Sequence, residues 1–522
     1  FLNVRTSILS KYPYYFSSMP PHDSDTSPIP ASDKNHVAFI YSNLNQNNPT
    51  SFSMASKMLL RRRSAFFRSF SDSLANSPKR KQSTAVVPTH PPTLDISDPR
   101  VLFSSVKSSM LLRSAINLKF ASMENLVDLG IVAMNSAVAS NANTLWRALV
   151  FGAVKPTIFT QFCGGTTADE AMQTVRGINE AGLQGILDFA VEFADDNGSC
   201  DKNFEGFLNT VEASEYPLVS SVAVKITALF PITLLGRISD LLRWQTRDSS
   251  IKLPWKEVDF PLFGELSPLY HTMKKPDTLC SREEEDFRLG MERVRKLCER
   301  CGTVGVPLVV DAEHSQVQPA IDYIAYCAAL RFNKGGDIIV YNTIQTYLKD
   351  AKHRLVSAMK ESNKLGVPIG FKLVRGAYMS SETKRAAELG LPSPIHDSIE
   401  ETHRCYNECA SILLENGGTV ILATHNVESG KIAAKKAHEL GVAKKGNVEF
   451  AQLYGMADSL SYGLRNGGFQ VSKYMPYGPV EKVIPYLIRR AEENRGMLSS
   501  SGHDRELMRK ELKRRAKAAI LC

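Results

Sequence analysis

The chain lacks most of the features that announce a function. Nine cysteines are spread over 522 residues without a repeating interval, which excludes the disulfide framework of a small secreted domain. Cys298 and Cys301 make one CxxC in "RVRKLCERCGTV". No second pair completes a zinc set, so they are read as two reduced thiols on a helix. No GxGxxG follows a strand pattern, no HExxH occurs and nothing resembles a nucleophile elbow. A Rossmann nucleotide site, metal-assisted hydrolysis and an elbow-type hydrolase are thereby set aside. Long apolar runs are missing too. The longest charge-free stretch of the first helical region, Leu129 to Trp146, is broken by Asn135, Ser136, Ser140, Asn141 and Asn143, and is too polar to span a bilayer.

Positive charge is in surplus, and its position matters more than its size. The net charge is +9. Between Met54 and Val87 stand eight Lys or Arg against one acid, Asp72, so most of the excess sits in one short segment. Elsewhere no basic stripe interleaves with aromatics, which argues against a nucleic-acid partner. The segment "MASKMLLRRRSAFFRSFSDSL" (54–74) is rich in Arg and Ser and nearly free of acids, the composition of a mitochondrial or plastid transit peptide. Residues 1–53, rich in Ser, Pro and Asn, are expected to be disordered and are read as upstream sequence ahead of a start at Met54. A basic disordered tail is the plainer alternative. Residues 54–99 then comprise the targeting segment and a Pro-rich linker. Taken whole, the chain has the 43% apolar and 22% charged content of a largely globular protein.

From about residue 181 a short β-branched run followed by a helix-periodic segment repeats eight times. The runs are "GILDFAVE" (185–192), "SVAVKITA" (221–228), "VPLVVDAE" (306–313), "DIIVYNTIQ" (337–345), "GFKLVRGAY" (370–378), "TVILATHN" (419–426), "VEFAQLYG" (448–455) and "QVSKYMPYG" (470–478). Alternation of this kind implies a parallel sheet. Eight units over 181–500 predict a closed (βα)₈, TIM-like barrel, with an open doubly wound sheet as the alternative. Residues 100–180 read as a helical region before the barrel and 501–522 as a basic helix after it. The Pro-rich excursion 243–280 is predicted to be an insertion loop.

The residues with chemical demands fall at the ends of these runs: Glu192, Lys225, Asp311, Gln345, Arg375, His425 and Tyr474. A barrel gathers all its strand ends on one mouth. Past the eighth strand, "PYLIRRAEENRG" (485–496) places Tyr486, Arg489, Arg490 and Glu493 at offsets of zero, three, four and seven, a single helical stripe. Such a stripe is either a solvated face or a pair of arginine forks laid over an anion. Lys225 admits two readings, a Schiff-base lysine or a charge paired with Asp311. "KLVRGAY" supplies cations and a glycine for close backbone approach, "ATHN" three polar side chains, and Gln345 an amide able to read a pyrimidine edge. Each alone would suit a strand end satisfying its loop; together on one rim they favour a bound dinucleotide.

These motifs carry a resemblance. "AVKITA", "DAE", "KLVRGAY", "ATHN" and "YLIRRAEENRG" occur in the order found in the flavin-dependent proline dehydrogenases, in their mitochondrial plant form, and the likeness covers roughly 100–520. It implies a (βα)₈ barrel with FAD at its mouth. It further implies oxidation of L-proline to Δ¹-pyrroline-5-carboxylate, with electrons passed to the respiratory quinone pool at the matrix side of the mitochondrial inner membrane. By the same resemblance Arg489 and Arg490 grip the proline carboxylate, and Tyr486, Tyr474, Leu453 and Tyr378 complete the pocket. Glu192 pairs with Arg489. Lys225, Asp311 and Lys372 stand at the reacting centre. Gln345, Lys372, Val374, Arg375, Gly376, Thr424, His425, Asn426 and Glu493 belong with the FAD, Glu493 also holding the last helix closed. Two positions depart from the bacterial pattern: Lys372 replaces an arginine and Met379 a tryptophan. Tyr474 leaves little room for a ring hydroxyl and so favours proline over hydroxyproline. Against this stand a Schiff-base lyase using Lys225 and a non-catalytic barrel. The basic C-terminal helix is read as a solvated helix, with peripheral membrane contact as the alternative.

Overall fold

A computed structural model describes residues 94–521, apart from 140–141, 265–266, 268–271, 273, 444–446 and 497. The expectations for 1–53, for the targeting segment and for most of the linker lie outside those residues. Eight parallel strands close in sequence order, each bonded to the next and the eighth to the first. They are β1 (Gln184–Phe189), β2 (Val219–Val224), β3 (Leu308–Val310), β4 (Val340–Gln345), β5 (Gly370–Val374), β6 (Val420–Ala423), β7 (Val448–Leu453) and β8 (Gln470–Tyr477). All eight sequence runs are therefore barrel strands. The open sheet is excluded by the β1–β8 pairing, which aligns Asp188 with Pro476.

Strand parity explains why these runs are apolar almost throughout. Leu187, Val222, Leu308, Leu373, Leu422 and Phe450 point outward into the core shared with the helices. Ile186, Ala223, Val309, Tyr341, Ile421 and Ala451 point inward and fill the barrel floor. A parallel strand buried on both faces loses the polar alternation of a half-exposed one. Each fully buried Leu, Ile or Phe contributes about 1.5–3 kcal/mol. The outer runs stop earlier than the sequence pattern suggests: β5 ends at Val374, and two residues on Gly376 takes φ +131°. Any β-carbon at Gly376 would overlap the Tyr347 ring.

Four longer helices precede the barrel: α1 (Ser108–Ala121), α2 (Glu124–Val138), α3 (Thr144–Val154) and α4 (Ala168–Asn179). Between strands run α5 (Asn197–Ala213), α6 (Ile232–Arg247) and α7 (Ser281–Val304), then α8 (Gln318–Phe332) and α9 (Ala351–Leu365). They are followed by α10 (Met379–Glu388), α11 (Ile399–Glu415), α12 (Val427–Glu439) and α13 (Asp458–Asn466). After β8 come α14 (Val480–Gly496) and α15 (Leu498–Leu521). Local chemistry sets their limits. Glu283 closes a capping box on Cys280 at the start of α7, and Gly305, at φ +82°, ends it. Cys298 and Cys301 lie on α7 as buried free thiols, pushed up in pKa by burial, Cys298 to about 12.

The long excursion begins later than its sequence suggests, because α6 continues to Arg247. Its aromatic residues are put to structural use. Trp255 meets Phe287 and Tyr323 edge-on, and Phe260 lies 4.2 Å from the Tyr326 ring. This cover explains why α8, apolar round nearly its whole circumference, is buried on every side. Among the described residues no helix is long and apolar enough to cross a membrane.

Candidate active site

The mouth is one step of strand parity above the floor. Two residues beyond Ile186, Ala223 and Val309, on the same inward face, come Asp188, Lys225 and Asp311. The Lys225 ammonium lies 3.3 Å from Asp188 Oδ2, 3.4 Å from Asp311 Oδ2 and 4.0 Å from Glu192 Oε1. It also reaches the Tyr474 hydroxyl at 3.4 Å. That hydroxyl donates to Asp311 Oδ2 at 2.6 Å, and Lys372 donates to Asp311 Oδ1. Lys372 Nζ sits 5.2 Å from the centre of the Tyr474 ring. Lys372 and Tyr474 come from within β5 and β8, so they form the layer just beneath the rim.

The electrostatics follow from burial set against pairing. Burial opposes charge on Asp311, but Lys372 and Lys225 outweigh it and pull the carboxyl down to about 2. Burial would strip the proton from Lys225; Asp188, Asp311 and Glu192 outweigh it and raise its pKa. Lys225 is thus an ammonium. Asp188 goes the other way, raised by burial against the pull of Lys225, with Asp311 adding to the rise. Glu192 is lowered: burial resists, and Arg489 and Lys225 prevail.

Helix α14 closes one side. Val483, Ile484 and Leu487 bury its back in an apolar cluster with Ile131 and Met134 of α2 and Val150 and Val154 of α3. Its other stripe faces the cluster of charges. Arg489 grips Glu192 with both arms, Nη1 at 3.1 Å and Nη2 at 2.6 Å, a bidentate fork. Arg490 is only 8% exposed and lies 5.3 Å from the centre of the buried Tyr486 ring. The inward reading of the Arg stripe is the one observed for these two residues. The Glu493 side chain lies outside what is described.

Across the mouth, β5 and β6 build a second constellation. Arg375 donates to Thr424 Oγ1 at 2.8 Å, Ser429 Oγ at 2.7 Å and His403 Nδ1 at 3.0 Å, and lies 4.3 Å over the Tyr406 ring. No carboxylate pairs with it among the described residues. Asn426 caps α12, its Oδ1 accepting from Ser429 N–H at 2.8 Å, so the positive end of that helix lies beside the guanidinium. His425 Nε2 accepts from the Leu453 N–H at 3.0 Å. Burial, helped by Lys473 and Arg490, pushes this ring down to about 3, leaving it neutral. The Val374 carbonyl accepts from Thr346 N–H at 2.8 Å, holding the chain on either side of Arg375 and Gly376. Buried Gln345 donates to the Glu313 carbonyl at 2.9 Å. Tyr378 meets His314 edge-on at 6.0 Å, while Met379 beside it is exposed.

The structure thus joins Glu192, Lys225, Asp311, Lys372, Tyr474 and Arg489 into one bonded cluster. Arg375, Thr424 and Asn426 form another, and His425 with Leu453 a third contact. Sequence reasoning missed Asp188, His403, Ser429 and Glu313. Asp188 left a signal: an acid at an inward position of an otherwise apolar buried strand. Ser429 and His403 left none, since they reach Arg375 from two separate helices.

A closed α/β barrel thus carries a cation–carboxylate cluster at its strand ends, a paired-arginine helix beside it and, opposite, a guanidinium with no carboxylate partner among the described residues. The family model described as proline dehydrogenase matches residues 171–503. Proline dehydrogenase 2, mitochondrial, of Arabidopsis thaliana is 54% identical over 436 residues, which cover 81% of this chain and 91% of that protein. Proline dehydrogenase 1, mitochondrial, of the same plant is 51% identical over 438 residues, covering 82% and 87%. The chain belongs to the proline dehydrogenase family. Among solved structures it is similar to proline utilization A from Bdellovibrio bacteriovorus inactivated by N-propargylglycine, with a TM-score of 0.57 and 19% identity. That alignment covers 78% of this chain and 44% of the longer protein, and shows a shared fold.

Proposed function

We propose that this chain oxidises L-proline to Δ¹-pyrroline-5-carboxylate in the mitochondrion, using FAD as bound electron acceptor and passing electrons to the membrane quinone pool. The observation that carries this reading is the inward pair Arg489 and Arg490, set against the Lys225 cluster. Counted among the described residues, the mouth holds four cations, Lys225, Lys372, Arg489 and Arg490, against three acids, Asp188, Glu192 and Asp311. One carboxylate from a substrate would balance the set. Arg489, Arg490 and Lys225 would hold that carboxylate, each charge-assisted contact contributing about 1.5–3 kcal/mol. Tyr474, Tyr486, Tyr378 and Leu453 would wall the ring and exclude water.

The Arg375 cradle suits FAD. A guanidinium held by hydroxyls and a neutral imidazole, beside a helix N-terminus, matches a phosphate rather than a buried acid. Arg375, Thr424, His425 and Asn426 would hold the phosphate and ribityl portion, with Val374 and Gly376 as close backbone. Gln345, Lys372 and Glu493 would border the ring system. Bound there, FAD supplies the acceptor for hydride from the carbon next to the proline nitrogen. Asp311 and Tyr474 keep Lys225 and Lys372 in place beneath the substrate. The proline nitrogen must be unprotonated to release hydride, so turnover is expected to rise with pH.

Lys225 as an ammonium opposes the Schiff-base alternative, which needs a neutral amine. The mitochondrial relatives and the Arg-rich segment 54–74 support import, which cell fractionation of the full chain tests. The electron acceptor implies peripheral contact with the inner membrane. The deciding experiment is the optical spectrum of purified protein before and after substrate. A yellow protein bleached by L-proline, and not by D-proline or hydroxyproline, is expected. A colourless protein whose Lys225 is trapped by borohydride on a carbonyl substrate would overturn the reading.

A further inference from the structure

The helices ahead of the barrel present an apolar surface that the barrel does not use. Of 21 exposed large apolar side chains among the described residues, 12 lie between Val101 and Leu149, which makes this a patch rather than scatter. Helix α2 buries one apolar side and leaves a second, mixed side uncovered, where Leu126, Leu129, Val132 and Val138 stand among Glu124, Asn125, Asp128, Asn135 and Ser136. Ile131 and Met134 are buried in the cluster shared with α14, while Leu129 and Val132, on the opposite side, are 65% and 60% exposed. Large apolar side chains in the open among polar ones suit an interfacial position, with the apolar groups in the bilayer boundary and the polar ones among headgroups. On α1, Leu112, Ile116 and Phe120 fall at offsets of zero, four and eight, one exposed stripe. Leu149 continues the pattern on α3.

The charge beside this patch is positive. Helix α15 is tied to the α1 region by Arg505, which donates to Ser122 Oγ at 2.6 Å, and by Arg515, which donates to the Val106 carbonyl at 2.7 Å. Its exposed positions carry Arg509, Lys510, Lys513, Arg514 and Lys517 against one exposed acid, Glu506; of these, Lys510 pairs with Glu506 and Arg514 with the buried Glu511, both at 2.8 Å. The acids of α2, Glu124 and Asp128, lie in its first two turns.

We propose that α1, α2 and α3 form a membrane-docking face that lies in the headgroup layer of an anionic bilayer, with the α15 cations on lipid phosphates. The proposal rests on the peripheral-membrane reading above and moves the apolar contact away from the basic C-terminal helix, on which, among the described residues, the exposed large apolar side chain is Ile520. Apolar insertion beside a row of cations is the composition that anionic lipid selects. A second copy of the chain is a poorer occupant, because pairing through this face brings two basic α15 helices together. Since α2 backs directly onto α14, the docked face would lie behind the helix that carries Arg489 and Arg490.

The test is co-sedimentation of the full chain with phosphatidylcholine vesicles, with and without phosphatidylglycerol. Wild type is expected to bind the anionic vesicles and to release in high salt. Leu129→Glu and Phe120→Glu, each with unchanged proline turnover to a soluble dye, are expected to bind about tenfold more weakly. Leu129→Ser serves if a charge there impairs folding. Lys513→Glu with Lys517→Glu is expected to remove the preference for anionic lipid. Apolar variants that bind like wild type would overturn this face while leaving membrane contact standing. A wild type that binds no vesicle would overturn both. Variants that turn a dimer into a monomer, with lipid binding unchanged, would reassign the face to self-association.

Discussion

Ile186, Ala223 and Val309 belong to the same chain segments as Asp188, Lys225 and Asp311, two residues earlier. The first three line the barrel floor, and the second three line its mouth. Both layers are buried, and both are filled by inward side chains, yet they are held together in opposite ways. The floor is cohesive through non-directional packing, so a small change of shape costs little. The mouth is cohesive only while every charge keeps its partner, because a buried ion without one is costly. The barrel can therefore vary its floor and must keep its mouth intact.

The largest effect should come from breaking the mouth at its hub. Asp311 holds Lys225, Lys372 and the Tyr474 hydroxyl together. Asp311→Ala leaves two buried ammoniums short of a carboxylate and is expected to cost about 3–5 kcal/mol of stability, read by thermal unfolding, together with proline turnover. Pairing it with Lys372→Met sharpens the comparison. The double variant is expected to be more stable than Asp311→Ala alone, since it removes one of the stranded charges. Additive losses would show that the mouth behaves like the floor.

Next comes the substrate clamp. Arg490→Ala is expected to lower kcat/KM for proline by about tenfold to a hundredfold, the equivalent of one charge-assisted contact. Thermal stability should change far less than for Asp311→Ala, because Glu192 keeps Arg489 as its fork. Undiminished kcat/KM would remove Arg490 from the substrate clamp.

How much of this was legible depended on range. The eight strands could be read because a β-branched run buried on both faces is a local signature, and "SVAVKITA" carries it within eight residues. The Arg stripe could be read because helical offsets are local too. Asp188 was overlooked although parity from Ile186 marks it as inward, since strand direction is known only once the floor is identified. The Arg375 cradle was half legible. Arg375, Thr424 and Asn426 stand at strand ends, but His403 and Ser429 arrive from α11 and α12, and nothing in sequence spacing relates those helices to β5. The exposed apolar residues of α2 were hidden for the same reason: its sequence does not show which of its apolar residues its neighbours cover.

A third test lies just beyond the mouth, two residues past Asp311. Glu313 is fully buried, accepts from the Thr227 hydroxyl at 2.7 Å and has its carboxyl raised to about 7 by burial. The unfolded chain loses that proton near 4.5. Between those values the native state holds a proton that the unfolded state has released, so this group's contribution to stability falls as pH rises from 4.5 to 7 and levels off above. Glu313→Gln is expected to flatten that slope in Tm against pH and to raise Tm at pH 8 relative to wild type, by less than the two preceding effects. An unchanged slope would mean that Glu313 stays charged in the fold despite its burial.

The smallest effect should come from the floor itself. Ile421 is 2% exposed and packs inward with Ile186, Ala223, Val309, Tyr341 and Ala451. Its strand neighbour in register is Lys372, one of the mouth's ammoniums. Ile421→Val removes one methyl group from a packed layer and is expected to cost about 0.5–1.5 kcal/mol, with KM for proline and the pH profile of turnover unchanged. The register makes this a strict test, because a floor residue beside Lys372 is the shortest route for packing strain to reach the charges. A shift in KM or in the pH profile from the loss of that methyl would show that the two layers are mechanically coupled, and that the floor sets the position of the Lys372–Asp311 contact.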